Sequence, residues 1–341
     1  MSRILVTGTG AVSPAGWGLP ALAKAVASGQ RVATSMIERE AETGEIIKSE
    51  VAKVPDLPDR SLLPRSPRLR RSSPVSRFAA AAVLEALGRE RFDAIVQGEL
   101  RAGVVCTMMN GCVNYSNRFY REVLDDPSTA SPIIFPETVY NAPSSHISAM
   151  LQSSAPNDTL VGDGAEWFEG LELAAEWLDR GDCDLCLLLT SEEVDWLSAE
   201  AMGYYSSSML PAEGAAALVL EKSGDGPRLL AVPDSANYAW FPSRTEAMAE
   251  VWNDLSPADD GHTVWSDGCM GVPRYDVPEE KIPWSGPRFS TRKVIGESLG
   301  ASAGLQTVAA LEWMRSNHAD RAVITSAGGN ESAAGAMFGK S

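Results

Sequence analysis

The stretch Asn157 to Leu171, N-D-T-L-V-G-D-G-A-E-W-F-E-G-L, has the form in which many α/β enzymes present a nucleophile. It reads as a buried strand, then a small-residue turn, then an amphipathic helix running to about Asp182. Such a turn lifts one side chain above a helix N-terminus, whose amides stabilise negative charge. The apex here is Asp163-Gly164-Ala165, and Gly164 brings no side chain. A scaffold suited to covalent chemistry therefore lacks the reactive atom at its apex.

Three other patterns could carry chemistry. Gly8-Thr9-Gly10-Ala11-Val12-Ser13 imitates a dinucleotide fingerprint with Ser at the third glycine. It lacks the acidic residue that should close a second strand about 20 positions on, so a tight turn after a buried edge is the better reading. Cys183-x-x-Cys186 has metal-ligand spacing, but it lies in an apolar strand-like run with no second ligand pair. Core packing by reduced thiols is expected, with no metal and no cofactor. Pro58 to Pro74 holds Arg60, Arg65, Arg68, Arg70 and Arg71, the one concentrated positive patch of the chain. It is either a solvated loop or a docking surface for an acidic partner.

The elements that must position these groups alternate. Strands are expected at Arg3–Thr7, Arg101–Met108, Asp184–Thr190 and Gly214–Glu221. Helices are expected at Leu19–Gly29, Val75–Gly88, Asn114–Leu124 and Tyr140–Gln152, with no strand in the polar segment Ser35–Ser49. After Gly224-Asp225-Gly226-Pro227 the pattern restarts. Strands at Arg228–Val232, His262–Trp265, Arg321–Ser326 and Ala334–Phe338 surround helices at Ser243–Leu255 and Leu299–Ser316. Two successive strand–helix sets suggest a duplicated α/β fold, divided into residues 1–223 and 224–341. The 341 residues suffice for one large unit of this kind. A net charge of −16 argues against binding nucleic acid or an anionic membrane. No apolar run approaches the ~20 residues of a spanning helix, and no leader is evident, so a cytoplasmic protein is expected.

Five ordered motifs resemble the β-ketoacyl synthase branch of the thiolase superfamily. They are V-T-G-T-G-A-V-S-P-A-G at 6–16, Phe135-Pro136-Glu137-Thr138-Val139-Tyr140-Asn141, Ala155-Pro156-Asn157-Asp158-Thr159, A-E-G-A-A-A-L-V-L-E at 212–221, and Gly296-Glu297-Ser298-Leu299-Gly300-Ala301-Ser302-Ala303-Gly304. The resemblance implies a thiolase-like duplicated fold layered α-β-α-β-α with two mixed five-stranded sheets. It also implies a Cys nucleophile and two His residues for decarboxylative condensation of carrier-protein thioesters.

Each of those positions departs from the family. The Cys falls on Gly164, the first His on Asp267, the second His on Glu297, and the Lys five residues before it on Arg292. The gating Phe has no counterpart near Ser326–Asn330, and His146, His262 and His318 lie elsewhere. Glycine forms no thioester, and ionised carboxylates repel an enolate. Asp163, Glu166, Asp267 and Glu297 are expected to approach the old active-site space together, with Arg292 pairing Glu297 or Asp267. Trp167 is expected to fill space left by substrate, leaving no acyl pocket.

The resemblance therefore implies a non-catalytic subunit, similar to a chain-length factor of bacterial type II polyketide, aryl-polyene or fatty-acid-like synthesis. Such a subunit pairs with an active ketosynthase as a heterodimer and docks acyl carrier protein. In this fold Thr159 and Val161 would pair across the two-fold axis, and Met109, Tyr115 and Phe119 would close the partner's tunnel. Arg68, Arg70 and Arg71 would meet the acidic carrier protein. Two alternatives are an enzyme using Asp267 and Glu297 for new acid/base chemistry, and a homodimeric module that binds acyl groups or carrier protein.

Overall fold

The computed structural model describes residues 3–41, 43–329 and 331–341. Asn330, in the segment expected to lack the gating Phe, lies outside them.

The first half opens with β1 (Leu5–Ser13), β2 (Gly16–Trp17), α1 (Leu19–Ser28), β3 (Ser35–Glu40) and β4 (Ile46–Val51). It continues through α2 (Pro74–Val96), β5 (Ala102–Met108), α3 (Val113–Asp125) and α4 (Ala142–Leu151). Then come β6 (Asn157–Val161), α5 (Ala165–Arg180), β7 (Leu185–Glu192), α6 (Trp196–Tyr205) and β8 (Gly214–Glu221). The second half holds β9 (Arg228–Ala231), β10 (Ala236–Asn237), α7 (Arg244–Leu255), β11 (Thr263–Ser266) and α8 (Pro273–Glu280). It ends with β12 (Arg288–Phe289), α9 (Thr291–Ile295), α10 (Ser302–Ser316), β13 (Arg321–Ala327) and β14 (Ser332–Gly339).

Two five-stranded sets, β1-β8-β7-β5-β6 and β12-β11-β13-β14-β9, are each mixed parallel and antiparallel. They join into one ladder at a single pair, Leu5 with Arg228. Helices α5 and α10 lie between the sets and contact strands of both. Helices α2 and α4 cover the outer face of the first set, and α7 and α8 the outer face of the second. The result is the α-β-α-β-α layering expected from the motifs. The largest apolar cluster fills the middle layer around Trp167, Leu171, Leu305 and Val308. It is apolar on both faces because β7 and β8 are buried on both faces, as their unbroken apolar sequences require.

Three local readings are corrected. Gly8 to Ser13 is strand, not turn, because β1 continues straight through it beside β8. The glycines there permit close packing: a Cβ on Gly8 or Gly10 would lie 2.0 Å from the carbonyl oxygens of Ala86 and Ala82 in α2. The polar segment at 35–51 is a β3–β4 hairpin, with an alternating pattern of half-buried and exposed side chains along both strands. The strand before the elbow is not buried: β6 hydrogen-bonds only β5 and is the free edge of its set, with Val161 49% exposed. Helix α2 extends past the expected Gly88 to Val96, with Gly88 at φ 70° breaking the helical backbone.

Candidate functional site

The elbow forms as its sequence requires. Gly162 N–H donates to Met108 O, which ties the end of β6 to β5. The Asp163 carboxylate accepts from Ala165 N–H at 3.0 Å and holds the turn onto α5. Gly164 is buried and already helical at φ −63°, so any L-residue fits its backbone. A Cβ there would face Ser326 Oγ at 3.0 Å, Arg292 Nη2 at 3.3 Å and Ala303 Cβ at 3.5 Å. A guanidinium thus stands where the nucleophile's side chain would project.

That guanidinium is held on three sides. Arg292 Nε donates to Gln306 Oε1 at 2.9 Å, Nη1 to Glu297 Oε2 at 3.1 Å, and Nη2 to Ser326 Oγ at 2.6 Å. Glu297 also accepts from Ser302 Oγ, and Gln306 Nε2 donates to the backbone carbonyls of Asp267 and Thr325. Arg292 is 3% exposed and Glu297 6%, so this is a buried ion pair completed by neutral hydrogen bonds. The expected pairing of Arg292 with Glu297 is present.

Asp267 takes a different partner. Its Oδ2 lies 2.6 Å from Arg288 Nε, and the Arg288 guanidinium stacks 3.8 Å above the Trp265 ring. The expected gathering of four carboxylates is therefore corrected. Asp163, Gly164, Arg292 and Glu297 line one cavity of about 180 Å³, while Asp267 lines a separate surface hollow with Arg288 and Lys293. Glu166 lines neither. Opposite charges decide this: each buried carboxylate is drawn to its own arginine instead of sharing one space with its fellows.

The cavity also corrects the expectation that Trp167 fills it. Trp167 is fully buried beneath α10 and donates Nε1–H to Thr307 Oγ1 at 2.9 Å. The cavity walls are Met109, Met202, Met209, Met270, Tyr205 and Tyr275, so a small apolar space persists above the old apex.

Two buried acids matter here that the motifs did not disclose. Glu279 is fully buried behind Gly268, accepts from Gly268 N–H and Thr325 Oγ1, and is pushed up to about 7 by burial and the nearby Asp267 charge. Glu192 is fully buried and accepts from the amides of Met109, Asn110 and Gly111; burial pushes it up to about 7 despite those bonds. It fixes the loop between β5 and α3. The Asp276-x-x-Glu279 spacing on one face of a helix could have disclosed the first; adjacent acids at 192–193 gave no sign of the second.

The remaining predicted residues occupy three places. Met109 lines the cavity. Tyr115 packs against the core under α2, and Phe119 stacks on Phe135 with ring centroids 5.4 Å apart. Thr159 and Val161 lie on the free edge β6, where Thr159 Oγ1 is 3.0 Å from Ser144 Oγ. Arg68, Arg70 and Arg71 are exposed at the 3-10 turn Pro67–Arg70 and the residue after it. All five cysteines are buried and free. Cys269, Asp276 and Glu280 stand close enough to share a cation, but Lys293 pairs with both carboxylates at 3.6 and 3.7 Å. Among the described residues no helix is long and apolar enough to cross a membrane.

Residues 1–225 match the model of the β-ketoacyl synthase N-terminal domain, so the chain belongs to the β-ketoacyl synthase family. No curated protein matches it. The fold is similar to that of the ishigamide ketosynthase/chain length factor, at 18% identity and a TM-score of 0.78 over 99% of each chain. It is also similar to a ketosynthase in complex with its chain length factor from Xenorhabdus doucetiae, at 14% identity and a TM-score of 0.80 over 100% of this chain and 98% of that one. A β-ketoacyl synthase from Burkholderia phymatum gives 17% identity and a TM-score of 0.77 over the whole of both chains.

Proposed function

We propose that this chain is a non-catalytic, chain-length-factor-like subunit that pairs with an active ketosynthase. The observation that carries the reading is the buried Arg292 guanidinium at the place of the nucleophile's side chain, above a glycine. No atom at the apex can accept an acyl group, and the two imidazole positions hold carboxylates already committed to Arg288 and Arg292. The second reading, acid/base chemistry shared by Asp267 and Glu297, loses its basis because the two line different spaces.

Pairing is supported by the surface. The edge strand β6 offers unpaired backbone groups, and Tyr120, Leu124, Ile133, Phe135, Val139, Tyr140 and Val161 are exposed around it. The solved complexes of similar fold include a ketosynthase with its chain length factor and a type II synthase acyl-carrier protein with its ketosynthase. In this reading Thr159 and Val161 join the partner's equivalent strand, and Met109, Tyr115 and Phe119 bound its tunnel. Arg68, Arg70 and Arg71 meet the acidic carrier protein. A cytoplasmic setting fits five reduced, buried cysteines.

Co-expression with a ketosynthase encoded beside it, followed by size-exclusion chromatography, tests the reading. A stable heterodimer is expected, together with a changed product length on replacing Met109, Tyr115 and Phe119 by Ala. A lone homodimer with no affinity for the ketosynthase overturns it.

A further inference from the structure

The most uncompensated charge in the molecule lies away from the cavity. Seven cations fall between residues 53 and 77: Lys53, Arg60, Arg65, Arg68, Arg70, Arg71 and Arg77. Elsewhere arginines such as Arg39, Arg91, Arg101, Arg288 and Arg292 each sit on a carboxylate. None of the seven has a carboxylate within the 4.0 Å of an ion pair among the described residues. In a chain with 45 acids and 29 basic side chains, so many unpaired cations in one segment need a reason.

Five of them, Lys53, Arg60, Arg65, Arg70 and Arg77, line one cleft of about 900 Å³. All five are exposed and stand at its rim. Its walls are apolar: Trp17 and Phe78 meet edge to face at 5.6 Å, and Leu57, Leu63 and Pro64 face them. The N-terminal turn of α2, at Pro74, opens onto the same space and adds the positive end of a long helix. At the floor is Glu193, 2% exposed. Its Oε1 accepts from Asn114 N–H, but its Oε2 is buried with no hydrogen-bond partner. An unmet buried acceptor costs free energy that a bound donor would recover.

We propose that this cleft binds a small phosphate ester, whose phosphate is taken by the arginines of the rim and whose organic end donates a hydrogen bond to Glu193. Arginine presents paired N–H donors matched to phosphate oxygens, and the Trp17–Phe78 wall suits a flat or extended apolar body. The lining carries five cations against three acids, Asp56, Glu193 and Glu213, so the anion enters a locally positive space within a negative protein. This assignment is independent of pairing with a ketosynthase.

Calorimetric titration of the full chain with inorganic phosphate, adenosine and AMP tests it, AMP serving as a phosphate ester with a ring and an amino donor. AMP is expected to bind at least tenfold more tightly than either of the others. The double substitution Arg65→Ala with Arg70→Ala should weaken AMP at least tenfold with unchanged thermal unfolding, since neither side chain has a partner to lose. Glu193→Gln, which replaces an acceptor oxygen by a donor group, should reduce the preference for AMP over phosphate. AMP binding no tighter than phosphate overturns the proposal. So does tight binding that survives loss of both arginines, which would place the ligand elsewhere. An unchanged preference in Glu193→Gln removes the floor from the site.

Discussion

The cavity above Gly164 and the cleft beneath residues 53–77 are opposite solutions to the same electrostatic problem. In the cavity every charge is answered from within: Arg292 by Glu297, Gln306 and Ser326, and Asp267 by Arg288. In the cleft the cations stand in solvent without a carboxylate partner, and Glu193 keeps one oxygen unmet. A site relieved of chemistry can close its polar groups onto one another and serve as structure. A surface that leaves them open keeps its capacity to bind.

The comparison breaks most sharply at Arg292. Arg292→Ala leaves Glu297 and Gln306 buried without their partner and should cost about 3–5 kcal/mol, as for other broken buried pairs. Adding Glu297→Leu to Arg292→Met should recover most of that loss, read by urea unfolding. Equal stability of Arg292→Ala and the parent would mean that the cavity is not closed by this pair.

A second test uses pH. Glu192 and Glu193 are pushed up to about 7 by burial, while an unfolded chain keeps them near their ordinary 4.5. The folded state then binds more protons between those values, so stability is greatest below pH 4.5 for these groups and is lost as pH rises through 7. Between pH 6 and pH 8 each should contribute a fall of about 1.4 kcal/mol. Glu193→Gln should flatten this slope; a parent that is more stable at pH 8 than at pH 6 contradicts the assignment.

The smallest change in stability belongs to Gly164→Cys. The backbone accepts it, and the neighbours at 3.0–3.5 Å must give by tenths of an ångström. The new thiol would sit at the start of α5 beside Arg292, both of which favour a thiolate. Rapid alkylation by iodoacetamide is expected, against inert native cysteines that are all buried. Condensation of acyl and malonyl thioesters should stay absent, because Asp267 and Glu297 replace the imidazoles; its appearance would show that the thiol alone was missing.

Much of this was legible in the chain. The elbow, the apolar runs of β7 and β8 and the capped helix after Ser243 announced themselves through period, small residues and Ser/Gly punctuation. The ordered motifs placed Gly164, Asp267, Arg292 and Glu297 correctly relative to the scaffold. What escaped was set by partners distant in sequence. Asp267 and Glu297 look alike in the chain, yet Arg288 draws one outward and Arg292 holds the other beside Ser326. Gly8 and Gly10 looked like a turn because glycine reports equally on bent backbone and on close approach, and only α2 distinguishes the two. The exposure of β6 was hidden because Thr159, Leu160 and Val161 have an apolar, β-branched character that an interface and a core share.

That free edge has a cost beyond recognition. Five residues of extended chain, with Val161 bare at the end and only Asn157 and Asp158 as polar guards, form a template on which a misplaced strand of any nascent polypeptide could dock. A cell making this protein in surplus over whatever covers the edge would accumulate precipitate, so matched synthesis of the two chains becomes a requirement of solubility as much as of assembly.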